Sequence, residues 1–215
     1  MSPKHQRGEM TVDRVLAAAL DLYAEDPDGL TMTALIARTG VSSGSLYHHF
    51  GSLDGLAAAL YIRCMADLLD AVATAVEAAG SAREGIRAFS EAYLGFARDR
   101  RAAAHFIHAS AYAAFLPAHA GRIARAKEPA MRRIAAWLGP HIAAGRIVDL
   151  PGPLLEMLVV GPLAETTRRW LATGPAESAH RGTGRGAGSG ADPGVDLEAA
   201  ARLLPERIWR SVRGE

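Results

Sequence analysis

Between Ala57 and Ala79 the chain runs without a proline or a glycine. Such a stretch, apolar at helical spacing and with little β-branched alternation, folds as one continuous helix, roughly 40 Å long at 1.5 Å per residue if Ser52 caps it. The rest of the sequence agrees with that element. Alanine is abundant, including Ala17 to Ala19 and Ala102 to Ala104, and only Lys4 and Lys127 are lysines among the 24 basic residues. Alanine and arginine are strong helix formers, so the expected fold class is all-α. At 215 residues and 49% apolar, the chain can bury roughly 70% of its unfolded surface and fold without staples. Its single cysteine, Cys64, excludes an internal disulfide and a multi-cysteine zinc site. No run reaches the ~18 apolar residues of a membrane span, and Met1 to Glu9 lacks the apolar core of a signal peptide. A cytoplasmic protein with no membrane partner is expected.

Caps and breakers divide the chain. Thr11 caps a first helix that ends before Asp26-Pro27-Asp28-Gly29, and a second runs from Thr31 or Met32 to Thr39-Gly40. Ser42 or Ser43 caps a third through Phe50, with Leu46 and Phe50 on its inner side, and Ser52 caps the long fourth. Ser81 caps a fifth, Arg98 to Arg101 interrupts, and a further helix extends toward Pro117. Helical stretches follow over 118–144, with breaks or kinks expected at Pro129 and Gly139-Pro140, and over 154–171, with a kink at Pro162. Six glycines from Gly174 to Gly190 mark a mobile linker over about 174–194. Asp196 then caps a last helix.

Leu30 to Phe50, "LTMTALIARTGVSSGSLYHHF", is the informative segment. Two short helices around Gly40, with Leu35, Val41 and Leu46 facing inward, satisfy the helix-turn-helix pattern. In such a unit the second helix offers its first turn and outer side to the major groove. Ser43, Gly44 and Ser45 are small enough for close approach, and Tyr47 and His48 are outward hydrogen-bonding groups.

The stretch from Val15 to "DGLTMTALIARTGVSSGSLYHHFGSLDGL", about 45 residues, resembles the N-terminal domain of the tetracycline-repressor (TetR) family of bacterial regulators, and "GVSSGSLYHHF" is its most specific part. The resemblance implies a three-helix DNA-binding domain over 1–51, joined by a long helix to a helical effector-binding and dimerisation domain over 52–215. It implies a homodimer on a palindromic double-stranded DNA operator, released when a small-molecule effector enters the C-terminal body. Carried over by position, Ser43, Gly44, Ser45, Tyr47 and His48 meet the groove, while Thr31, Thr33, Tyr47 and His49 lie near the backbone. Two positions depart from the family pattern. Leu53 stands where a phosphate-touching lysine is usual, and Ile36 where a small alanine is common. An N-terminal arm with Lys4, His5 and Arg7 is the expected substitute anchor.

Phe89, Tyr93, Phe96, His105, Phe106, His108, Tyr112, Trp137 and His141 form an apolar set with a few polar tips, suited to a small-molecule cavity and equally to plain core. His105 and His108 have a spacing that two metal ligands can use, but no third ligand is evident nearby, although His141 or Glu156 could converge in space, and no metal is expected. Leu155, Leu158, Val159, Leu163, Leu204, Ile208 and Val212 supply a dimer interface between copies, or core without a partner. Glu156 either faces solvent or a partner, or pairs with an arginine inside. No phosphate loop or nucleophile–base arrangement is present, so neither cofactor nor catalysis is expected. The alternatives to a repressor are a ligand-binding or interaction dimer that has lost DNA binding, and a helical enzyme on the same cavity.

Charge refines the DNA expectation. The whole chain carries +1, but residues 1–51 hold four basic and six acidic side chains, a net −2. Few phosphates can be neutralised by such a segment, so the logarithm of DNA affinity should fall only shallowly with the logarithm of salt concentration, at about 0.9 per phosphate contacted. Titration of a fluorescent duplex across a salt series measures that slope.

Overall fold

The structure is a computed structural model that describes residues 3–108, 117–172 and 194–214, with side chains from Met10 onward in the first helix. Within those residues the fold is all-α: α1 Pro3–Glu25, α2 Met32–Thr39, α3 Ser43–Phe50, α4 Leu53–Glu77, α5 Ala82–Asp99, α6 Arg101–His108, α7 Ala120–Ala143, α8 Gly152–Ala172 and α9 Leu197–Val212. The one β contact described is an isolated bridge between Ile147 and Arg213. Tyr112 and the glycine-rich stretch expected as a linker lie outside the described residues, apart from Gly194 at its edge.

The caps sit where hydroxyl and carboxylate side chains can take up the free N–H groups of a first turn. Ser81 accepts from the Glu84 N–H at 3.3 Å, and the Glu84 carboxylate in turn accepts from the Gly80 N–H at 3.1 Å. Asp196 accepts from Glu198 and Ala199 at 2.9 and 3.2 Å. One expectation is corrected. The first helix begins at Pro3 rather than after Thr11, so Lys4, His5 and Arg7 lie on helix and not on an extended arm. Proline fits a first helical position, where its missing N–H costs nothing. α7 continues through Pro129 and Gly139-Pro140, and α8 continues through Gly161-Pro162. One proline removes a single hydrogen bond, which the flanking turns tolerate.

The residues group into two compact units. The first comprises 1–67 and 102–129. Val15, Ala19 and Tyr23 of α1, Leu35 of α2, Leu46 and Phe50 of α3, Leu56 to Leu60 of α4 and Phe106 of α6 are among its buried side chains, with Cys64 a small apolar member. The second comprises 68–101 and 130–215, where α9 packs on α5 and α8, and α5 on α8. Its core includes Leu68, Val72 and Val76 of α4, Ile86, Phe89 and Tyr93 of α5, Leu155, Val159 and Leu163 of α8, and Ile208 and Val212 of α9. Arg101 lies over the Trp170 ring at 4.1 Å.

α7 differs from its neighbours in having no fully buried residue. In the second unit it is held by two devices. Trp137 lies against α5 at Gly85, where any Cβ would overlap the indole. Arg133 binds Asp70, Thr74 and Glu77 on α4.

The junction of α3 and α4 is equally tight. Gly51 closes α3 at φ 75°, a left-handed value that disfavours side chains. Ser52 then caps α4 by accepting from the Gly55 N–H at 3.1 Å. A Cβ at Gly55 would run into the Phe50 carbonyl oxygen, and a backbone atom cannot swing aside as a side-chain tip can. Gly55→Ala is therefore expected to destabilise the protein by about 1–3 kcal/mol despite its better helix propensity, as read from urea denaturation.

Candidate nucleic-acid interface

Local chemistry fixes the two short helices. Thr31 caps α2 by accepting from the Ala34 N–H at 3.1 Å. Gly40, at φ 67°, closes it and returns its N–H to the Ile36 carbonyl at 2.9 Å. Within the turn, the Thr39 hydroxyl donates to the Leu35 carbonyl at 2.6 Å and accepts from the Val41 N–H at 3.2 Å. Ser42, of the two serines considered, caps α3, accepting from the Ser45 N–H at 3.3 Å. Leu35 and Leu46 are fully buried and Val41 nearly so. The inner side of the motif is thus closed by apolar contacts, each large side chain contributing on the order of 2 kcal/mol.

Everything opposite that side is open. Thr31, Thr33, Ser43, Gly44, His48 and His49 are exposed, Tyr47 is 52% exposed, and Ser45 is half-buried. A Cβ at Gly44 would meet nothing within 4 Å. Packing does not require glycine there, and glycine in an exposed helix costs about 1 kcal/mol relative to alanine. Arg38 on the same motif makes a two-pronged ion pair with Glu25 at the end of α1, at 3.1 and 2.6 Å. The pair raises the guanidinium's pKa and lowers the carboxylate's, chiefly through the shared hydrogen bond. Sequence reasoning did not single out this partner of α2, because the pair spans 13 residues and two helices.

The aromatic residues considered for a cavity fall into both units. Phe89, Tyr93 and Phe96 are buried on α5, with the Phe89 and Tyr93 rings stacked 6.4 Å apart. Trp137 is half-buried with its indole N–H enclosed and lacking a hydrogen-bond partner, and its ring meets His141 edge-on at 4.8 Å. His141 accepts from Arg146 at 3.0 Å, and burial, with the nearby Arg146 charge, lowers its pKa. His105, Phe106 and His108 belong to the first unit. There the Tyr23 hydroxyl and His105 Nδ1 share a 2.6 Å hydrogen bond, and Phe106 meets the Tyr23 ring edge-on. Among the described residues no three His, Cys, Asp or Glu side chains gather as a metal site.

Of the residues considered for a dimer interface, Leu155, Val159, Leu163, Ile208 and Val212 are buried within the single chain, while Leu158 and Leu204 are half-buried. The outward apolar side chains on these helices are Leu154, Met157 and Leu203, at 48%, 67% and 64% exposure. Sequence periodicity finds a stripe but not which side of it the chain itself covers. Glu156 is exposed.

An all-helical fold with a closed hydrophobic side and an open polar side on its second short helix defines a helix-turn-helix protein. Residues 15–60 match the family profile described as "Bacterial regulatory proteins, tetR family". The whole chain is similar in fold to a TetR family transcription regulator from Marinobacter aquaeolei VT8, at 18% identity and TM-score 0.67, over 98% of this chain and 100% of that one. It is similar to the fatty acid degradation regulator FadR from Bacillus halodurans at 15% identity and TM-score 0.69, over 97% and 96%. A third likeness is to a TetR-family transcriptional regulator from Pectobacterium atrosepticum, at 21% identity and TM-score 0.62, over 98% and 97%. No curated protein matches by sequence. Residues 15–60 are thus a TetR-type DNA-binding domain, and the chain as a whole shares the fold of such transcription regulators. No described helix is long and apolar enough to cross a membrane.

His108 ties this unit's stability to pH. It is largely buried, and burial lowers its pKa from 6.5 to about 4. Between those values the unfolded chain binds the proton and the folded chain does not, so stability rises with pH there and is lost as pH falls from 6.5 toward 4. Replacing the imidazole by a neutral amide in His108→Gln is expected to lessen the drop in urea midpoint between pH 7.5 and pH 5.

Proposed function

We propose that the protein is a cytoplasmic, ligand-responsive repressor that binds a palindromic operator as a homodimer. Residues 1–51 read the DNA, and residues 52–215 bind the effector and the second copy. The observation that carries this reading is the two-sidedness of α3, with Leu46 and Phe50 buried and Ser43, Gly44, Tyr47, His48 and His49 exposed. Gly44 leaves room for a groove wall, Tyr47 offers a hydroxyl to phosphate or base, and Thr31 and Thr33 flank the backbone.

Regulation requires only that the effector bind the conformation that fits DNA poorly better than the one that fits it well. α4 is the element through which such a preference travels along the chain, since Leu53 to Asp67 belong to the first unit and Leu68 to Glu77 to the second. The buried aromatics of α5 and the half-buried Trp137 support an apolar effector. A second copy is supported by the exposed Leu154, Met157 and Leu203, costly to leave in water.

Selection of bound fragments from genomic DNA by the full chain tests the reading. Recovery of a shared inverted repeat is the expected result, and recovery of unrelated sequence would remove it. Tyr47→Ala should weaken binding to the recovered site at least tenfold while leaving the thermal midpoint within about a degree, because a half-exposed side chain contributes little to the fold. Met157→Glu places a charge on the outward side of α8. Sedimentation velocity should then show monomer where the parent shows dimer, with operator affinity falling in parallel.

A further inference from the structure

From Thr39 to Ile62 the sequence contains neither lysine nor arginine, and this interval includes all of α3 and the start of α4. The two arginines that bound it are occupied: Arg38 is clasped by Glu25, and Arg63 bonds the Asp13 carboxylate at 3.1 Å. α4 opens with Leu53 and Asp54, an uncharged and an acidic residue. This interval of the motif therefore holds no permanent cation. It holds two side chains that can become cations, His48 and His49. Both are exposed, they sit in the last turn of α3, and their rings lie 5.4 Å apart. A helix C-terminus favours positive charge.

We propose that His48 and His49 are the phosphate anchors of the reading helix and that they become charged by taking up protons as the DNA binds. The inference rests on the DNA-binding reading above and adds how that same site is regulated. An imidazole in water is mostly neutral above pH 7, and a phosphodiester within a few ångströms favours its charged form. Binding and protonation are then linked, and affinity falls as pH rises.

Other charges around α3 do not supply this dependence. α2 carries Arg38, with Glu25 and Asp21 of α1 beside it. Asp26 and Asp28 occupy the preceding loop, Tyr47 lies on α3 itself, and Asp54, Tyr61 and Arg63 lie on α4, the last with Asp13 of α1. Carboxylates, phenols and guanidiniums ordinarily titrate outside pH 6 to 8, whereas imidazole titrates within it.

The test uses the full chain and a labelled duplex carrying the site recovered by selection from a random-sequence library at pH 6. Fluorescence anisotropy gives Kd from pH 6 to 8 at constant ionic strength. Calorimetry at pH 7 in buffers of different ionisation enthalpy counts the protons taken up. Kd should rise at least tenfold per pH unit above 6.5, with at least one proton taken up per bound dimer. His48→Gln with His49→Gln should flatten the profile, while His48→Arg with His49→Arg should flatten it and keep tight binding at pH 8. These positions are exposed, so circular dichroism melts should be unchanged. A parent profile that varies less than threefold across the range overturns the proposal, as does an undiminished pH dependence in the double glutamine variant. Failure of the parent to select or bind any duplex at any pH overturns the DNA-binding reading itself, and this proposal with it.

Discussion

The contact between the end of α3 and the beginning of α4 sets the geometry on which the remaining interface depends. Gly51, Ser52 and Gly55 act together: one turns the backbone, one caps the next helix, and one lets the Phe50 carbonyl come close. Directly after them Leu56 to Leu60 are buried without exception, so the first turns of α4 cannot rotate without exposing apolar surface. The recognition helix is thereby fixed at both ends, by its Ser42 cap and by α4. Orientation of Tyr47, His48 and His49 follows from packing on the opposite side of α3 rather than from interactions of their own.

Charge has a different role. The arginines of the described residues are widely engaged with carboxylates, as in Arg38 with Glu25, Arg83 with Glu206 and Arg168 with Glu165. Most of these pairs are exposed, and an exposed pair contributes no more than about 1 kcal/mol. Their effect is on what the surface offers to other molecules. A guanidinium facing a carboxylate is not available to a phosphate, and the sparse positive charge near α3 follows from that pairing as well as from composition.

Much of this was legible in the sequence because it rests on local chemistry. The caps at Ser52, Ser81 and Asp196 need only a hydroxyl or carboxylate ahead of an apolar period, and Gly40 needs only a left-handed turn. The inward positions Leu35, Val41 and Leu46 are set by the same period. What was not legible depends on partners far along the chain. Nothing local to Leu155 or Ile208 says that the chain itself covers them, while Leu154, Met157 and Leu203 stay outside. Nothing near His105 points to Tyr23, 82 residues away. The prolines of α7 and α8 do not end their helices, since a helix held by its neighbours can absorb the loss of one bond.

The shallow seating of α7 bears on how a protein of this kind can change over generations. A helix whose residues are deeply embedded cannot be altered without repacking several neighbours. α7 touches its surroundings through half-covered side chains, a tryptophan laid on a glycine and one arginine clasp. Substitution along its exposed positions disturbs little else, so α7 can change in sequence while the buried contacts that hold α1 to α4 in place stay as they are. Two parts of one chain thereby differ widely in their tolerance for mutation.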